Sequence, residues 1–294
     1  MLLACLLAFH TLVPDSPGRL GSLVETFLPW LGLGVPVLAA LALLRRSALA
    51  LCAQALPVAA WLALFGAPLL PADTPPGALV VVQHNVSDEN RDPAGTARTL
   101  AAAHPGLIAL EELTPAVAPA FAAALAADYP HHATEGTVGL WSAYPLTDVR
   151  PVDIRPTGLG SDWNRGLRAT AVTPRGEVAV YVAHLPSVRL SATAGLACAR
   201  RDESAVLLGA AVAAERLERV ILLGDLNGTV DDRGLAPLTS RLNVPRAGLA
   251  FSWPASFPVA RIDQVMARSA TVTEVRRLPA TGSDHLPIAA RVDW

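Results

Sequence analysis

Six apolar runs of this chain carry an acid, an amide or an imidazole at one end. Asn85 closes VVVQHN, Glu111 and Glu112 close LIALEE, and His184 closes VAVYVAH. Asp225 and Asn227 follow VILLG, Asp263 interrupts RIDQVM, and Asp284 and His285 precede LPIAARV. A strand that is apolar along its length and polar at its tip brings that polar group to the rim of a core, where a cleft can form. Acids in such positions suit a hard divalent cation with oxygen ligands and retained waters, Mg2+ or Mn2+, whereas zinc would want more His or Cys. The two histidines of the set suit proton transfer or contact with a phosphate. Together these groups suit metal-assisted attack of water on a phosphorus ester: the cation screens the phosphate, an acid orients or deprotonates water, and an imidazole stabilises the pentacovalent oxygens or the leaving group.

The elements that must carry these tips are short. Ala78 to Val86, Leu107 to Leu110, Val138 to Ser142, Ala169 to Thr173, Val178 to His184 and Val220 to Leu223 read as strands, with a hairpin turn at Gly176. Ile262 to Ala267, Thr271 to Arg276 and Pro287 to Val292 are further strands. Pro93 to Ala103, Pro115 to Ala127 and Gly195 to Leu217 read as helices. Hairpins mixed with strand-helix-strand passages predict two packed, mostly antiparallel sheets with helices outside them.

Composition sets the rest of the chain apart. With 52% hydrophobic and 16% charged residues in 294, and a mean hydropathy of +0.40, the chain is too apolar for an ordinary soluble protein of its size. The excess is N-terminal, where only six of the first 76 residues are charged. Thr26 to Leu44 and Ser47 to Ala72 are uncharged runs long enough for a hydrocarbon core of roughly 30 Å. Met1 to Pro14 is apolar but short. Residues 1–72 are therefore expected to form two or three transmembrane helices, three being favoured. Arg45 and Arg46 in the turn between the long runs keep that turn cytoplasmic and send the following chain outward. Residues 73–77, with Pro75, Pro76 and Gly77, read as a stiff linker to a domain of residues 78–294. The expectation is a multi-pass protein of the cell membrane with an extracytoplasmic second domain.

The net charge is −2 and no lysine occurs anywhere. A chain-wide electrostatic grip on nucleic acid is excluded, so a polyanion must be held locally by Arg, His or a metal. Cys198 is the only cysteine after residue 77, which excludes an internal disulfide or a thiolate zinc site in the second domain. Asn164, Arg165 and Arg168 lie where one of them could reach a phosphate. His84, His104, His131 and His132 read as solvated surface or loop residues.

Gly, Asp and Asn are turn formers, so GDLN alone would read as a turn after a strand. The order N, LxEE, HL, GDLN, RID and SDHLP, however, resembles the endonuclease/exonuclease/phosphatase family of metal-dependent phosphoesterases over essentially residues 78 to 294. The resemblance implies a four-layer α/β sandwich with two central sheets and an active cleft at their edge, here preceded by the transmembrane helix bundle. It implies Glu112 as a metal-binding glutamate, Asn85 as an amide near metal and phosphate, and Asp284 as a further acid near the metal. By the same resemblance Asp225 activates the nucleophilic water beside Asn227, His285 contacts the scissile phosphate and Asp263 orients its ring. His184 matches a histidine that donates a proton to the leaving group, and which histidine is the acid stays open. Glu111 stands where the family usually has Gln, which would add a negative charge near the cation and could bind it.

The chain thus reads as a membrane-anchored phosphodiesterase or phosphomonoesterase using Mg2+ or Mn2+, with the bilayer as its N-terminal partner and no protein partner inferable. Its substrate would be a lipid head group, a small ester or nucleic acid. Near-neutral charge and the bilayer tether favour lipid or small esters, and no basic loop for gripping DNA is evident. The alternatives are a nuclease acting on extracellular DNA or RNA, and a tethered scaffold that has lost turnover.

Overall fold

The computed structural model describes residues 1–70, 75–191, 195–245 and 247–294. Asp73 and Thr74 of the expected linker, like the last two residues of the second apolar run, lie outside them. The strands are β1 (Leu79–Asn85), β2 (Leu107–Glu111), β3 (His131–Glu135), β4 (Val138–Ser142), β5 (Leu146–Pro151), β6 (Gly166–Thr173) and β7 (Gly176–Ala183), followed by β8 (Arg189–Ser191), β9 (Gly195–Ala197), β10 (Val220–Asp225), β11 (Asp263–Arg268), β12 (Thr271–Arg277) and β13 (Ile288–Asp293). The helices are α1 (Leu2–Ala8), α2 (Leu20–Thr26), α3 (Gly34–Leu44), α4 (Ala48–Cys52), α5 (Ala55–Phe65), α6 (Pro93–Ala101), α7 (Ala118–Leu125), α8 (Ala199–Ala213) and α9 (Ala236–Thr239).

Six strands form one sheet in the order β12-β13-β1-β2-β4-β3, and five form a second in the order β11-β10-β7-β6-β5. Each contains one parallel pair, β1 with β2 and β7 with β10, and is otherwise antiparallel. Alternate residues of the central strands point inward: Val81, Ala109, Leu140, Val180, Ile221, Leu223, Val265 and Ala290 share one core between the sheets. The other faces meet helices. Val82, Ile108 and Leu110 pack with Leu100 and Phe121 of α6 and α7, while Leu222 and Met266 pack with Leu208 and Leu238 of α8 and α9. Each such aliphatic side chain contributes about 1.5–3 kcal/mol on burial. The result is helix, sheet, sheet, helix: the expected four-layer α/β sandwich.

Two expectations are corrected along the chain. Residues 195–197, read as the start of a long helix, are strand β9, paired antiparallel with β8, and α8 begins at Ala199. The edge strands β3 and β5 have no counterpart in the sequence reading. HHATE and LTDVRP are half-exposed or exposed along most of their length, so they lack the apolar run that marks an inner strand.

The N-terminal helices α3 and α5 are apolar on all sides, and Leu33, Val37, Leu41, Leu44, Leu49 and Leu56 stand exposed on the bundle's outer surface. Leu7, Leu28 and Phe65 make a small core that also receives Leu249 of the second domain. Among the described residues, Ala48–Phe65 is the one helical run long and apolar enough to cross a membrane, and Leu20–Thr26 with Leu28–Leu44 qualifies only as a pair bent by 71°. Met1 to Pro14 folds as α1 and a single tight turn, His10–Leu12, too short for a hydrocarbon core. By length, then, the structure offers one span, or two with the bent pair, against the favoured three.

Candidate active site

The two parallel pairs explain why the polar strand tips meet. β1 and β2 run the same way and end together at Asn85 and Glu111, which are register partners. β7 and β10 likewise run the same way, placing His184 and Asp225 side by side. β11 and β13 run against them, so Asp263 at the start of β11 pairs with Asp225, and His285 sits just before β13. One rim of the sandwich collects every tip.

At the centre is Asp225, buried. Its Oδ1 accepts the Asn227 backbone N–H at 3.0 Å and its Oδ2 accepts the Asn85 side-chain N–H at 3.1 Å. Two imidazoles flank the same Oδ2, His184 Nε2 at 3.6 Å and His285 Nε2 at 3.8 Å. The Asn227 side chain donates to the Leu185 carbonyl and its backbone is left-handed, with φ of 48°. Gly224 immediately before Asp225 has a local reason: a Cβ there would run into the Ala183 carbonyl of β7.

His285 is held from two sides. Its backbone N–H donates to the Ser283 hydroxyl, which itself donates to the Asn85 carbonyl. Its ring Nδ1 lies 2.9 Å from Asp263 Oδ2, and Asp263 also accepts from the Ser252 hydroxyl and the Gln83 amide. Burial alone would lower the pKa of this imidazole, but Asp263 and Asp225 raise it to about 10. His184 is the opposite case: burial and the adjacent Arg165 hold it well below its ordinary range, as a neutral ring. Burial drives the Asp225 carboxyl up to about 7, against the pull of His285 and with the push of Asp263.

Glu112 follows β2 in a left-handed conformation, φ 56°, an arrangement that tends to mark functional positions. Its carboxylate is 30% exposed and lies 3.9 Å from His184 Nε2, with Oε2 accepting the Asp88 backbone N–H. The Asp284 carboxylate accepts the Trp253 indole N–H at 3.4 Å and lines the same cavity as Glu112, Asp225 and His285. The carboxylates of Glu112, Asp225 and Asp284 are hard oxygen donors lining one cavity, a donor set that fits a divalent cation, while the buried Asn85 amide behind them turns its N–H to Asp225 and its Oδ1 to the Ser87 backbone N–H. Asp225, Asp263 and His285 also bring ligand atoms within 4.8 Å of one another, but there the short Asp263–His285 contact already occupies the imidazole nitrogen nearest the acid.

All eight sequence-predicted positions meet at this rim. Of the three phosphate-contact candidates, only Arg165 reaches it, with Nη1 3.1 Å from His184 Nδ1; its guanidinium also lies over the Trp163 ring. Asn164 is exposed, its backbone carbonyl accepting the Thr137 N–H, and Arg168 is buried in ion pairs with Glu215 and Asp148. Gln83, Ser252 and Trp253 escape sequence reasoning, since a lone amide inside a strand or a hydroxyl in a loop carries no signal. Glu111 corrects an expectation: it points into the sandwich, fully buried, its Oε2 2.6 Å from the Gln83 amide. Burial and the nearby Asp263 and Asp225 push its pKa well above the ordinary carboxyl value, and its side chain is turned towards Gln83 and not to the cavity that Glu112 lines. His84 is another correction. It is buried on the outer face of β1, bonded to the Thr281 hydroxyl, and burial lowers its pKa to about 3.

The fold is shared with solved structures. Sphingomyelinase C from Streptomyces griseocarneus is 21% identical with a TM-score of 0.55, covering 74% of this chain and 99% of that one. The beta toxin of Staphylococcus aureus, solved as a doubly substituted mutant with bound magnesium ions, is 17% identical with a TM-score of 0.54, over 73% and 99%. D. rerio TDP2 complexed with single strand DNA product is 17% identical with a TM-score of 0.57, over 74% and 100%. No curated protein sequence matches the chain. The profile of the Endonuclease/Exonuclease/phosphatase family matches residues 82–285, the stretch that runs from β1 to His285, and the chain belongs to that family.

Proposed function

We propose that the protein is a divalent-metal-dependent phosphodiesterase tethered to a membrane by its N-terminal helices. The observation that carries this reading is the convergence on Asp225 Oδ2 of two imidazoles, His184 Nε2 at 3.6 Å and His285 Nε2 at 3.8 Å, next to the open carboxylate of Glu112. A structural knot of acids would not need to leave one of its carboxylates facing a cavity.

Glu112, Asn85 and Asp284 are the residues that would hold Mg2+ or Mn2+, and the cation when bound supplies charge screening for the phosphate. Asp225, oriented by Asn85 and the Asn227 amide, accepts the proton of the attacking water. His285, protonated and fixed by Asp263, places a positive N–H against the phosphoryl oxygens as charge builds there. His184, neutral, offers a hydrogen bond to the leaving oxygen, and Arg165 behind it adds a fixed positive field. This reading makes His285 the charged donor to the phosphoryl oxygens and leaves His184 as the neutral ring beside the leaving group. The magnesium bound in the beta toxin supports the choice of cation.

The membrane reading rests on the outward apolar side chains of α3, α4 and α5, which no soluble bundle of this size would leave uncovered. The test uses the full chain in nanodiscs with bis-p-nitrophenyl phosphate and Mg2+. Hydrolysis should vanish with chelator and with Asp225→Ala, and hydrolysis indifferent to both would overturn the proposal.

A further inference from the structure

The cavity above the catalytic acids, about 480 Å³, is not built by the second domain alone. Leu23, Thr26 and Phe27, at the end of α2, form one wall of it, facing Asp225, Asp284 and His285. This wall is apolar and partly open, with Phe27 38% exposed and, across the cavity, Leu190 of β8 74% exposed.

The wall is fixed in place. Glu25, one turn from the cavity and 1% exposed, accepts from the Arg233 backbone N–H at 2.9 Å and from its guanidinium Nε and Nη2 at 2.9 and 2.8 Å. Arg233 donates further to the Val13 carbonyl. Arg19 bridges Asp15 and Asp202 of α8, the Gly18 carbonyl accepts from Leu196 of β9, and the Trp30 indole donates to the Val259 carbonyl at 2.6 Å. A buried carboxylate with three charge-assisted bonds across two regions is the kind of contact that sets a defined geometry. From Phe27 the chain runs directly into the apolar bundle.

We infer that α2 is the specificity wall of the active site: with the phosphate at Asp225, the non-reacting ester group lies along Leu23 and Phe27, so the substrate is a phosphate diester bearing an apolar chain. The inference rests on the phosphodiesterase reading and names its substrate class. A nucleic acid fits less well, because Arg189 is the only arginine among the described residues that line the cavity, and a strand of phosphates needs several cations.

The test compares methyl and octyl p-nitrophenyl phosphate, which share charge, reacting phosphorus and leaving group. In each, water adds to phosphorus, the P–O bond to p-nitrophenolate breaks, and one proton is released. In the full chain in nanodiscs, kcat/KM should rise along the alkyl series by up to about fourfold per methylene at first, and Phe27→Ser should cut the octyl-to-methyl ratio by about tenfold or more. Leu41→Ser, on the outer surface of α3, controls for bilayer partitioning and should keep the wild-type ratio. An unchanged ratio in Phe27→Ser, or faster hydrolysis of a single-stranded oligodeoxynucleotide than of the octyl ester, would overturn the inference. If the wild-type chain cleaves neither ester nor oligonucleotide, the phosphodiesterase reading itself falls, an outcome separate from a lost chain-length preference.

Discussion

Asp263 holds His285 by a contact of 2.9 Å between Oδ2 and Nδ1, joining the start of β11 to the turn before β13. The same carboxylate takes the Ser252 hydroxyl and the Gln83 amide, so the imidazole rests on an acid that is itself fully hydrogen-bonded. Asp263→Asn keeps the shape but removes the charge that favours imidazolium. The expected outcome is a loss of about 10²- to 10⁴-fold in kcat, with the alkaline limb of the pH profile moving to lower pH. A variant that loses activity with that limb unmoved would count against a charged His285.

The two shifted groups at the centre predict a bell-shaped profile. Asp225 acts as base only when ionised, and burial has raised its pKa to about 7, so the rate climbs as pH rises through that value. His285 acts only when protonated, and Asp263 and Asp225 have raised its pKa to about 10, so the rate falls above it. A bound cation near Asp225 draws the acidic limb lower. Initial rates on a soluble diester across this range check it, and a profile whose acidic side is higher than its plateau would sink the assignment.

Much of this site is legible in the sequence because strand tips are read by period and composition: Asn85, His184 and Asp225 each end a run rich in Val, Leu or Ile. What stays hidden depends on which face a residue takes in three dimensions. Glu111 and Glu112 are neighbours, yet the first points into the sandwich and the second, in a left-handed conformation, faces the cavity. His84 sits among apolar strand residues and shares their burial, which its own polarity conceals. The wall formed by Leu23 and Phe27 is invisible in the sequence because nothing local in an apolar run says what it will pack against.

Glu111 makes that difference measurable. Its pKa in the folded protein lies well above the ordinary carboxyl value, so its contribution is fully present below pH of about 4.5 and is lost as pH rises towards the folded value. Glu111→Gln keeps a neutral partner for Gln83 without that penalty. The expected result is a variant at least as stable as wild type at neutral pH, with a Tm advantage that widens from acid to neutral pH. An advantage that shrinks over the same interval would mean that Glu111 is ionised in the folded state.

We propose an orientation from Arg45 and Arg46, which sit at the α3–α4 turn while Phe65 of α5 packs with Leu249 and Glu25 of α2 pairs with Arg233. With that turn cytoplasmic, protease added to intact cells should trim residues 78–294. Complete protection, with cleavage only after lysis, would invert the topology.

The α2 contact gives the last prediction. Glu25 is 1% exposed, so Arg233→Ala leaves a carboxylate buried with only His10 Nδ1 at 3.6 Å as a charge partner. Arg233 is itself 29% exposed, so stranding the buried Glu25 acceptor costs about 1–3 kcal/mol, and the expected effect is a lower Tm with faster proteolysis within residues 13–30. Adding Glu25→Gln removes the stranded charge and should recover part of the stability while leaving the wall less firmly placed. If Arg233→Ala unfolds and is cleaved like wild type, Glu25 does not depend on Arg233, and the wall beside Asp225 has lost its main anchor in the second domain.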